Sequence, residues 1–200
     1  MLVDDKDKPF PYLLIRDFYD EEELQGIWEE LKFFTYKNKL SAPNKTGQAS
    51  PLAKKNSGVF LDEVFSERRY SNILRANRKV FKSHIMKMYA DLHFTYENIM
   101  QVNFDTTLIS YYEDSSYYKP HNDQAAITAL TWFFKEPKEF TGGDLIFTKF
   151  NETIEIENNM LLIFPSVVTH EVIPVQMVTD KTKFSGHGRY CMSQFMNISR

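Results

Sequence analysis

Cysteine is nearly absent from this sequence, because Cys191 is the one cysteine among 200 residues. A single cysteine excludes an internal disulfide bond and any zinc site that is built from several cysteines. The scarcity of cysteine is compatible with a reducing compartment, and we therefore expect a cytoplasmic protein.

Long apolar runs are absent as well. No stretch approaches the roughly 18 uninterrupted apolar residues that indicate a membrane-spanning helix. The N-terminal sequence, MLVDDKDKPFPY, is acidic and lacks the apolar core of a secretory signal. We therefore expect no membrane partner, and the net charge of −3 gives no general reason to expect nucleic acid.

Acidic residues are absent from one long stretch, residues 35–61, which carries five lysines and two prolines. This composition predicts a long, mobile, basic loop. A solvated connector is one interpretation of the stretch. A lid over a binding site is the other, because structureless loops of this length are uncommon inside compact domains.

The segments on either side of this loop predict helices. Before the loop, a short strand leads to Asp20, which can cap a helix together with Glu23 in a capping box. Apolar residues then recur on one face of that helix, at Leu24, Ile27, Trp28 and Leu31. After the loop, the helical period predicts a second helix over about residues 71–92.

From about residue 99 the pattern changes to short apolar or alternating runs, separated by turn residues such as Gly142 and Gly143. Roughly seven or eight strands at this spacing predict a sandwich, jelly roll or barrel. We expect a single domain over residues 1–200, of α+β class and mainly β. Residues 1–98 hold the first strand, the helices and the basic loop, and residues 99–200 hold the β core.

Three residues of the β region can form a metal site. His121 and Asp123 are separated by one residue, and alone this pair is as consistent with a polar loop as with a metal site. His170 is the other histidine of this region that lies near the end of an apolar strand. Two imidazoles and one carboxylate can occupy one face of an octahedron, and the open positions that remain suit Fe(II).

Four ordered motifs make the region from about Ile109 to Ile198 resemble the core of Fe(II)/2-oxoglutarate-dependent oxygenases, in particular the prolyl 4-hydroxylase-like branch. The motifs are Tyr112, Tyr118 and Pro120-His121-x-Asp123; FTGGDLIF; LLIFPSVVTHEVIPV, which contains His170; and GRYCMSQFMNI. The resemblance implies a double-stranded β-helix, or jelly-roll, core with N-terminal helices packed against it. It also implies that His121, Asp123 and His170 are catalytic residues that hold iron.

The same resemblance implies 2-oxoglutarate as co-substrate and dioxygen as oxidant, with ascorbate as an optional cofactor. Members of the family bind the far carboxylate of 2-oxoglutarate through a basic residue, with help from hydroxyl groups. We assign Arg189 to this role, because a guanidinium binds a carboxylate with two parallel hydrogen bonds. Tyr112 and Ser193 are the further contacts, although Cys191 stands where the family commonly has a serine.

A competing assignment for the basic residue stays open. Arg189 lies farther beyond His170 than the family spacing implies, and Lys181 and Lys183 lie nearer to that spacing. Both lysines belong to a polar insertion, whereas Arg189 opens a strand whose alternation groups it with Ser193. We therefore prefer Arg189.

The resemblance implies an enzyme, a 2-oxoglutarate-dependent dioxygenase that hydroxylates a C–H bond, with a prolyl residue of a peptide or protein as the favoured substrate. A nucleic-acid demethylase of the same superfamily is an alternative for which the basic loop is the sole argument. A non-enzymatic, cupin-like binding module is another, in which the three candidate ligands are structural. The sequence leaves the oligomeric state open.

Overall fold

A computed structural model describes residues 2–6, 8–46, 52–179 and 183–199. The α-helices are α1 (Glu21–Tyr36), α2 (Leu61–Val64), α3 (Asn72–Ala76) and α4 (Ser83–Ala90). Short 3-10 helices cover Pro43–Lys45, Arg68–Tyr70, Asn77–Phe81 and Phe94–Gln101. Within these described ranges, no helix is both long enough and apolar enough to cross a membrane.

The strands form three antiparallel sheets. They are β1 (Leu2–Lys6), β2 (Tyr12–Arg16), β3 (Ser57–Phe60), β4 (Phe104–Tyr112), β5 (Tyr118–His121), β6 (Ile127–Phe133), β7 (Phe140–Gly142), β8 (Leu145–Phe147), β9 (Glu152–Ile154), β10 (Met160–Pro165), β11 (His170–Val172), β12 (Val175–Met177) and β13 (Arg189–Asn197). The largest sheet has the order β1-β2-β10-β6-β13-β4-β3. The smaller sheets have the orders β5-β11-β8-β9 and β12-β7.

The large sheet is buried on both faces. One face packs against the helices through residues such as Ile27 of α1 and Met192 of β13. The other face packs against the smaller sheets, where Leu130 of β6 meets Phe147 of β8 in one apolar cluster. Strand β6 is buried at every position, as expected for a central strand that is covered on both sides. This architecture confirms the predicted class, mainly β, with a jelly-roll core and helices packed against it.

The first helix forms as predicted. Asp20 accepts a hydrogen bond from the backbone N–H of Glu23, and the Glu23 carboxylate accepts one from the backbone N–H of Asp20. Ile27 and Leu31 are fully buried against the large sheet. Leu24 and Trp28, partly buried, pack against the same cluster.

The prediction of one continuous second helix over residues 71–92 is wrong. Helix α3 ends at Ala76, a 3-10 helix follows, and Lys82 is extended before α4 begins. Asn77 lies at the first break, where its side-chain amide donates to the hydroxyl of Thr107 on β4. The apolar period continues through the breaks because each short helix buries its own residues on the same sheet, so the period alone does not reveal them.

The prediction of a loop over residues 35–61 is wrong at both of its ends. Helix α1 continues to Tyr36, and residues 57–60 form β3, the edge strand that pairs with β4. Gly58 fits closely there, since a Cβ atom would approach the carbonyl oxygen of Ile109 to 2.9 Å. Residues 47–51, on which the predicted mobility partly depends, lie outside the described residues.

A buried carboxylate joins the helical layer to the large sheet. Asp105 on β4 accepts hydrogen bonds from Arg68 at 3.1 Å and from Arg78 at 2.9 Å. The side-chain amide of Gln194 on β13 donates to the same carboxylate at 3.1 Å. One acid thus holds the short helices after β3 against strands β4 and β13.

We expect Asp105→Ala to lower the free energy of unfolding by about 2–4 kcal/mol, because the buried amide and both guanidinium groups each lose an acceptor. Urea denaturation measures the change. Asp91→Ala is the matched control, since Asp91 pairs with Lys87 at the exposed end of α4 and its loss should cost under about 0.5 kcal/mol. Equal destabilisation by the two substitutions would contradict this account of Asp105.

Candidate metal centre

The three candidate ligands meet where two strand ends pair. His121 ends β5 and His170 begins β11, and the two residues are directly opposite in the antiparallel register. Asp123 follows β5, and its backbone N–H donates to the carbonyl oxygen of Ser166 at 3.1 Å. The pairing of two short strands therefore brings together residues that are far apart in the sequence.

The donor atoms of these side chains face one another. Nε2 of His121 lies 3.8 Å from Oδ1 of Asp123, and Nε2 of His170 lies 3.6 Å from Oδ2 of Asp123. One donor atom from each residue fits within 4.8 Å of the others. These separations leave room for one ion among the three donors.

Backbone carbonyl groups fix the tautomer of both imidazoles. Nδ1 of His121 lies 2.9 Å from the carbonyl oxygen of Lys119, and Nδ1 of His170 lies 3.0 Å from that of Val168. A carbonyl oxygen only accepts hydrogen bonds, so each Nδ1 carries the proton. In the neutral imidazole, Nε2 then presents a lone pair to the centre, as a metal-binding histidine requires.

The electrostatic environment keeps the first histidine neutral. Burial, and then the neighbouring His170, lowers the pKa of His121 to about 3, against the opposing effect of its hydrogen bond to Lys119. Burial also raises the pKa of Asp123, whereas His170 and the hydrogen bond from Thr128 act to lower it. A cation among the donors would favour the ionised carboxylate, because its positive charge compensates for the hydration that the buried carboxylate loses.

A chain of hydroxyl groups orients the carboxylate. Thr128 of β6 donates to Oδ2 of Asp123 at 2.7 Å, and the hydroxyl of Ser166 lies 2.8 Å from that of Thr128. Because the Thr128 proton goes to Asp123, Ser166 is the donor in the second bond. This chain leaves Oδ1 of Asp123 available to an ion.

The three candidate ligands line a cavity of about 630 Å³. Alternate residues of β13 form one wall, namely Arg189, Cys191, Ser193 and Phe195, as strand alternation predicts. Apolar side chains such as Leu130 and Val172 line other parts of it. The cavity is therefore large enough to hold a small dicarboxylate together with part of a second molecule.

Arg189 is a fully buried cation without an acceptor. Its guanidinium lies 4.6 Å from the centroid of the Tyr112 ring and 5.9 Å from that of Trp132. None of its three side-chain nitrogens has a hydrogen-bond partner in the described part of the chain. A buried guanidinium in this state is costly unless an anion binds, and a carboxylate matches its geometry.

The double glycine shapes the space beside this guanidinium. Gly142 and Gly143, predicted as turn residues, have φ values of 66° and 76°, which glycine adopts without steric cost. A Cβ atom on Gly143 would approach both Cδ of Arg189 and a methyl group of Val175 to 3.0 Å. The turn thus allows the arginine side chain to extend into the cavity.

The other predicted co-substrate contacts lie in the same wall. Tyr112 is directly opposite Arg189 in the β4–β13 register. Burial raises the pKa of its phenol, whereas the charge of Arg189 acts to lower it. Ser193 is buried, with its hydroxyl 3.8 Å from the sulfur of Cys191. Burial raises the pKa of that thiol.

The competing lysines do not gain support from the structure. Lys183 is exposed and lines a different cleft, beside Asp114 and Met177. Lys181 lies outside the described residues. Arg189 is thus the candidate that the described chain places in the cavity.

Sequence reasoning missed two polar residues of this site. Thr128 is one of two threonines in the fully buried strand β6, and a hydroxyl in such an apolar strand was the available signal. Lys54 lines the cavity although it belongs to the stretch that was predicted to be a basic loop. No local pattern distinguishes it from the exposed lysines around it.

A sequence model described as the 2OG-Fe(II) oxygenase superfamily matches residues 107–196, a range that contains all the candidate ligands and co-substrate contacts named above. Among curated proteins, an uncharacterized PKHD-type hydroxylase from Synechocystis is 25% identical over 205 residues. That alignment covers 92% of this chain, which spans 62% of the length of the relative.

Solved structures share the fold. A prolyl-4-hydroxylase from Pseudomonas putida superposes with a TM-score of 0.63 at 14% identity, covering 93% of this chain and 92% of that one. A viral collagen prolyl hydroxylase from Paramecium bursaria Chlorella virus-1 gives 0.54 at 13% identity, covering 92% and 94%. At these identities the likeness concerns the fold, and the chemistry depends on the side chains of the site.

We expect Thr128→Val to weaken Mn(II) binding by about 10–100-fold, because Asp123 loses the hydroxyl that orients it. Electron paramagnetic resonance of free Mn(II) measures the affinity. Thr131→Val is the matched control, since Thr131 is buried on the opposite face of the same strand and does not contact the candidate ligands. Unchanged affinity in Thr128→Val would show that the hydroxyl chain does not support the centre.

Proposed function

We propose that this chain is a member of the 2OG-Fe(II) oxygenase superfamily and a 2-oxoglutarate-dependent dioxygenase that hydroxylates a C–H bond. The observation that carries the proposal is a cavity with a His-Asp-His cluster and a buried guanidinium that lacks an acceptor. The cluster suits a metal ion that keeps open coordination positions. The guanidinium suits the far carboxylate of a dicarboxylate bound to that metal.

His121, Asp123 and His170 would hold Fe(II) through two Nε2 atoms and one carboxylate oxygen. When bound, iron and 2-oxoglutarate supply the redox chemistry that activates dioxygen, with loss of carbon dioxide from the co-substrate. The chain supplies binding and orientation, because the carbonyl groups of Lys119 and Val168 fix both imidazoles. Apolar residues of the wall exclude water from the reacting face.

Arg189 would bind the far carboxylate of 2-oxoglutarate with two hydrogen bonds. Tyr112 lies opposite it and can donate its phenol proton, since burial raises the pKa of that phenol and keeps it protonated. Ser193 would add a hydroxyl from the same face of β13. The co-substrate would therefore lie along β13, between the arginine and the metal.

A peptide or protein is the substrate class that we propose, with a prolyl residue as its hydroxylated part. This part of the proposal is supported by two structural neighbours that are named prolyl hydroxylases and by a curated relative that is named a hydroxylase. The nucleic-acid alternative is weakened, because α1 and β3 occupy the ends of the predicted basic loop and Lys54, one of its five lysines, is buried. The use of ascorbate and the cytoplasmic location stay predictions.

An anaerobic titration tests the metal and the co-substrate together. Wild-type protein with Fe(II) and 2-oxoglutarate should show a weak visible metal-to-ligand charge-transfer band. His121→Ala, Asp123→Ala and His170→Ala should lose the band and all Fe(II)-dependent turnover while circular dichroism stays unchanged, since the ligands lie at strand ends.

Two other histidines provide the controls for this titration. His84 is exposed on α4, and His187 bonds to Glu139 at 2.7 Å, so His84→Ala and His187→Ala should retain the band. Retained turnover in His170→Ala would contradict the ligand assignment. For the wild-type protein, succinate release with peptide, free proline and nucleic-acid substrates would identify the substrate class.

Removing the guanidinium should affect the co-substrate alone. We expect Arg189→Met to weaken 2-oxoglutarate binding by roughly 30–1,000-fold, because a charge-assisted pair of hydrogen bonds is lost while the apolar stem is kept. Iron affinity should stay within about twofold of wild type, since Arg189 is not among the proposed ligands. Calorimetry measures both affinities, and Lys183→Ala is the control. A large loss in a Lys181 or Lys183 variant, with none in Arg189→Met, would overturn the assignment.

A further inference from the structure

Lys54 is a buried cation of the cavity wall that the proposed mechanism does not use. It is 3% exposed. Its backbone pairs with Tyr118 in an isolated bridge, and its ammonium lies 5.4 Å from the centroid of the Tyr118 ring. That ring stacks on the imidazole of His121 with 3.5 Å between centroids. Lys54 therefore lies close to the face of the proposed metal centre.

The partners of this ammonium are neutral. Lys54 donates to the carbonyl oxygen of Thr46 and, at 3.0 Å, to the hydroxyl of the same residue. An ammonium has three N–H donors, so these two contacts leave one for another acceptor. Among the described residues no carboxylate pairs with Lys54. Residues 47–51, which precede it, contain no acid either.

The next lysine provides an internal comparison. Lys55 is exposed, contacts the hydroxyl of Ser115 and lines a separate cleft on the other side of the extended segment. Alternation along the segment therefore directs Lys54 inward and Lys55 outward. A lysine that served solubility alone would be expected on the outward side.

Iron and 2-oxoglutarate, when bound in the cavity, would not provide a counter-ion for Lys54. Arg189 would meet the far carboxylate of 2-oxoglutarate. The two charges of iron would be offset by Asp123 and by the near carboxylate of the co-substrate. Burial lowers the pKa of Lys54, because the charged form loses hydration, and a buried cation normally has an anionic partner. The primary substrate is the remaining source of that partner.

We infer that Lys54 binds a carboxylate of the primary substrate and thereby selects an acidic substrate. This inference rests on the proposed function and adds a specificity-determining residue to it. The carboxylate has two sources, the side chain of an acidic residue within a peptide and the α-carboxylate of a terminal residue or free amino acid. Either would place the substrate against the Tyr118 wall, beside the open face of the metal.

Binding of matched probes tests the inference. The first pair is acetyl-Ala-Pro-Asp-amide and acetyl-Ala-Pro-Asn-amide, which differ in a side-chain carboxylate. The second pair is acetylproline and its methylamide, which differ in the α-carboxylate. Calorimetry under nitrogen measures their affinity for protein loaded with Fe(II) and 2-oxoglutarate. The variants are Lys54→Met, Lys54→Arg and the matched control Lys55→Met.

Wild-type protein should bind the acidic member of one pair at least about tenfold more tightly than the neutral member, as expected for a charge-assisted contact. The pair that shows the preference identifies the source of the carboxylate. Lys54→Met should reduce the preference to within about twofold, whereas Lys54→Arg and Lys55→Met should retain most of it. The charge-transfer band and the affinity for 2-oxoglutarate should be unchanged in all three variants.

Four results would overturn the inference. A loss of about tenfold or more in 2-oxoglutarate affinity in Lys54→Met would assign the residue to the co-substrate instead. Equal binding of acidic and neutral probes by wild-type protein, or no binding of any probe, would exclude a carboxylate anchor if the charge-transfer band is present. Absence of that band in wild-type protein would overturn the proposed function, and this inference with it.

Discussion

The register of β13 between β4 and β6 determines which residues face the cavity and which face the helices. β13 pairs with β4 over its whole length, from Arg189 opposite Tyr112 to Asn197 opposite Phe104. Side chains alternate along a strand, so this register directs Arg189 and Ser193 to the cavity and Met192 into the helical core. A shift of one residue would exchange the two sets and bury the cavity's polar groups among the helices.

The cavity of the free protein contains buried ionisable groups that lack partners of opposite charge. Arg189 and Lys54 are buried without a carboxylate partner in the described chain, and burial raises the pKa of Asp123. Each of these states costs folding free energy that apolar side chains would not cost. A metal cation, a dicarboxylate and an acidic substrate would each relieve one of them. The same groups that weaken the free fold therefore define what the cavity binds.

The clustering of the three candidate ligands and the fold class could be predicted because ordered motifs and strand alternation are local properties of the sequence. The edge strand β3 could not, because Gly58 and the lysines before it have the composition of a loop and the pairing with β4 depends on tertiary contact. The break at Lys82 was hidden because apolar spacing continues across it. The burial of Lys54 was equally hidden, since lysine composition indicates solvent exposure unless a cavity lies beneath.

The proposed metal and co-substrate contacts lie on different elements from Lys54, the proposed substrate contact. The proposed metal and co-substrate contacts lie on β4, β13 and the paired ends of β5 and β11, whose register the core fixes. Lys54 lies in the segment that leads to β3 and is held by backbone contacts to residues 117–119. An edge segment can change its side chains without disturbing the two core clusters, whereas β13 cannot, because it is paired on both sides. Substrate choice is therefore expected to depend on this edge segment, and the shared chemistry on the central strands.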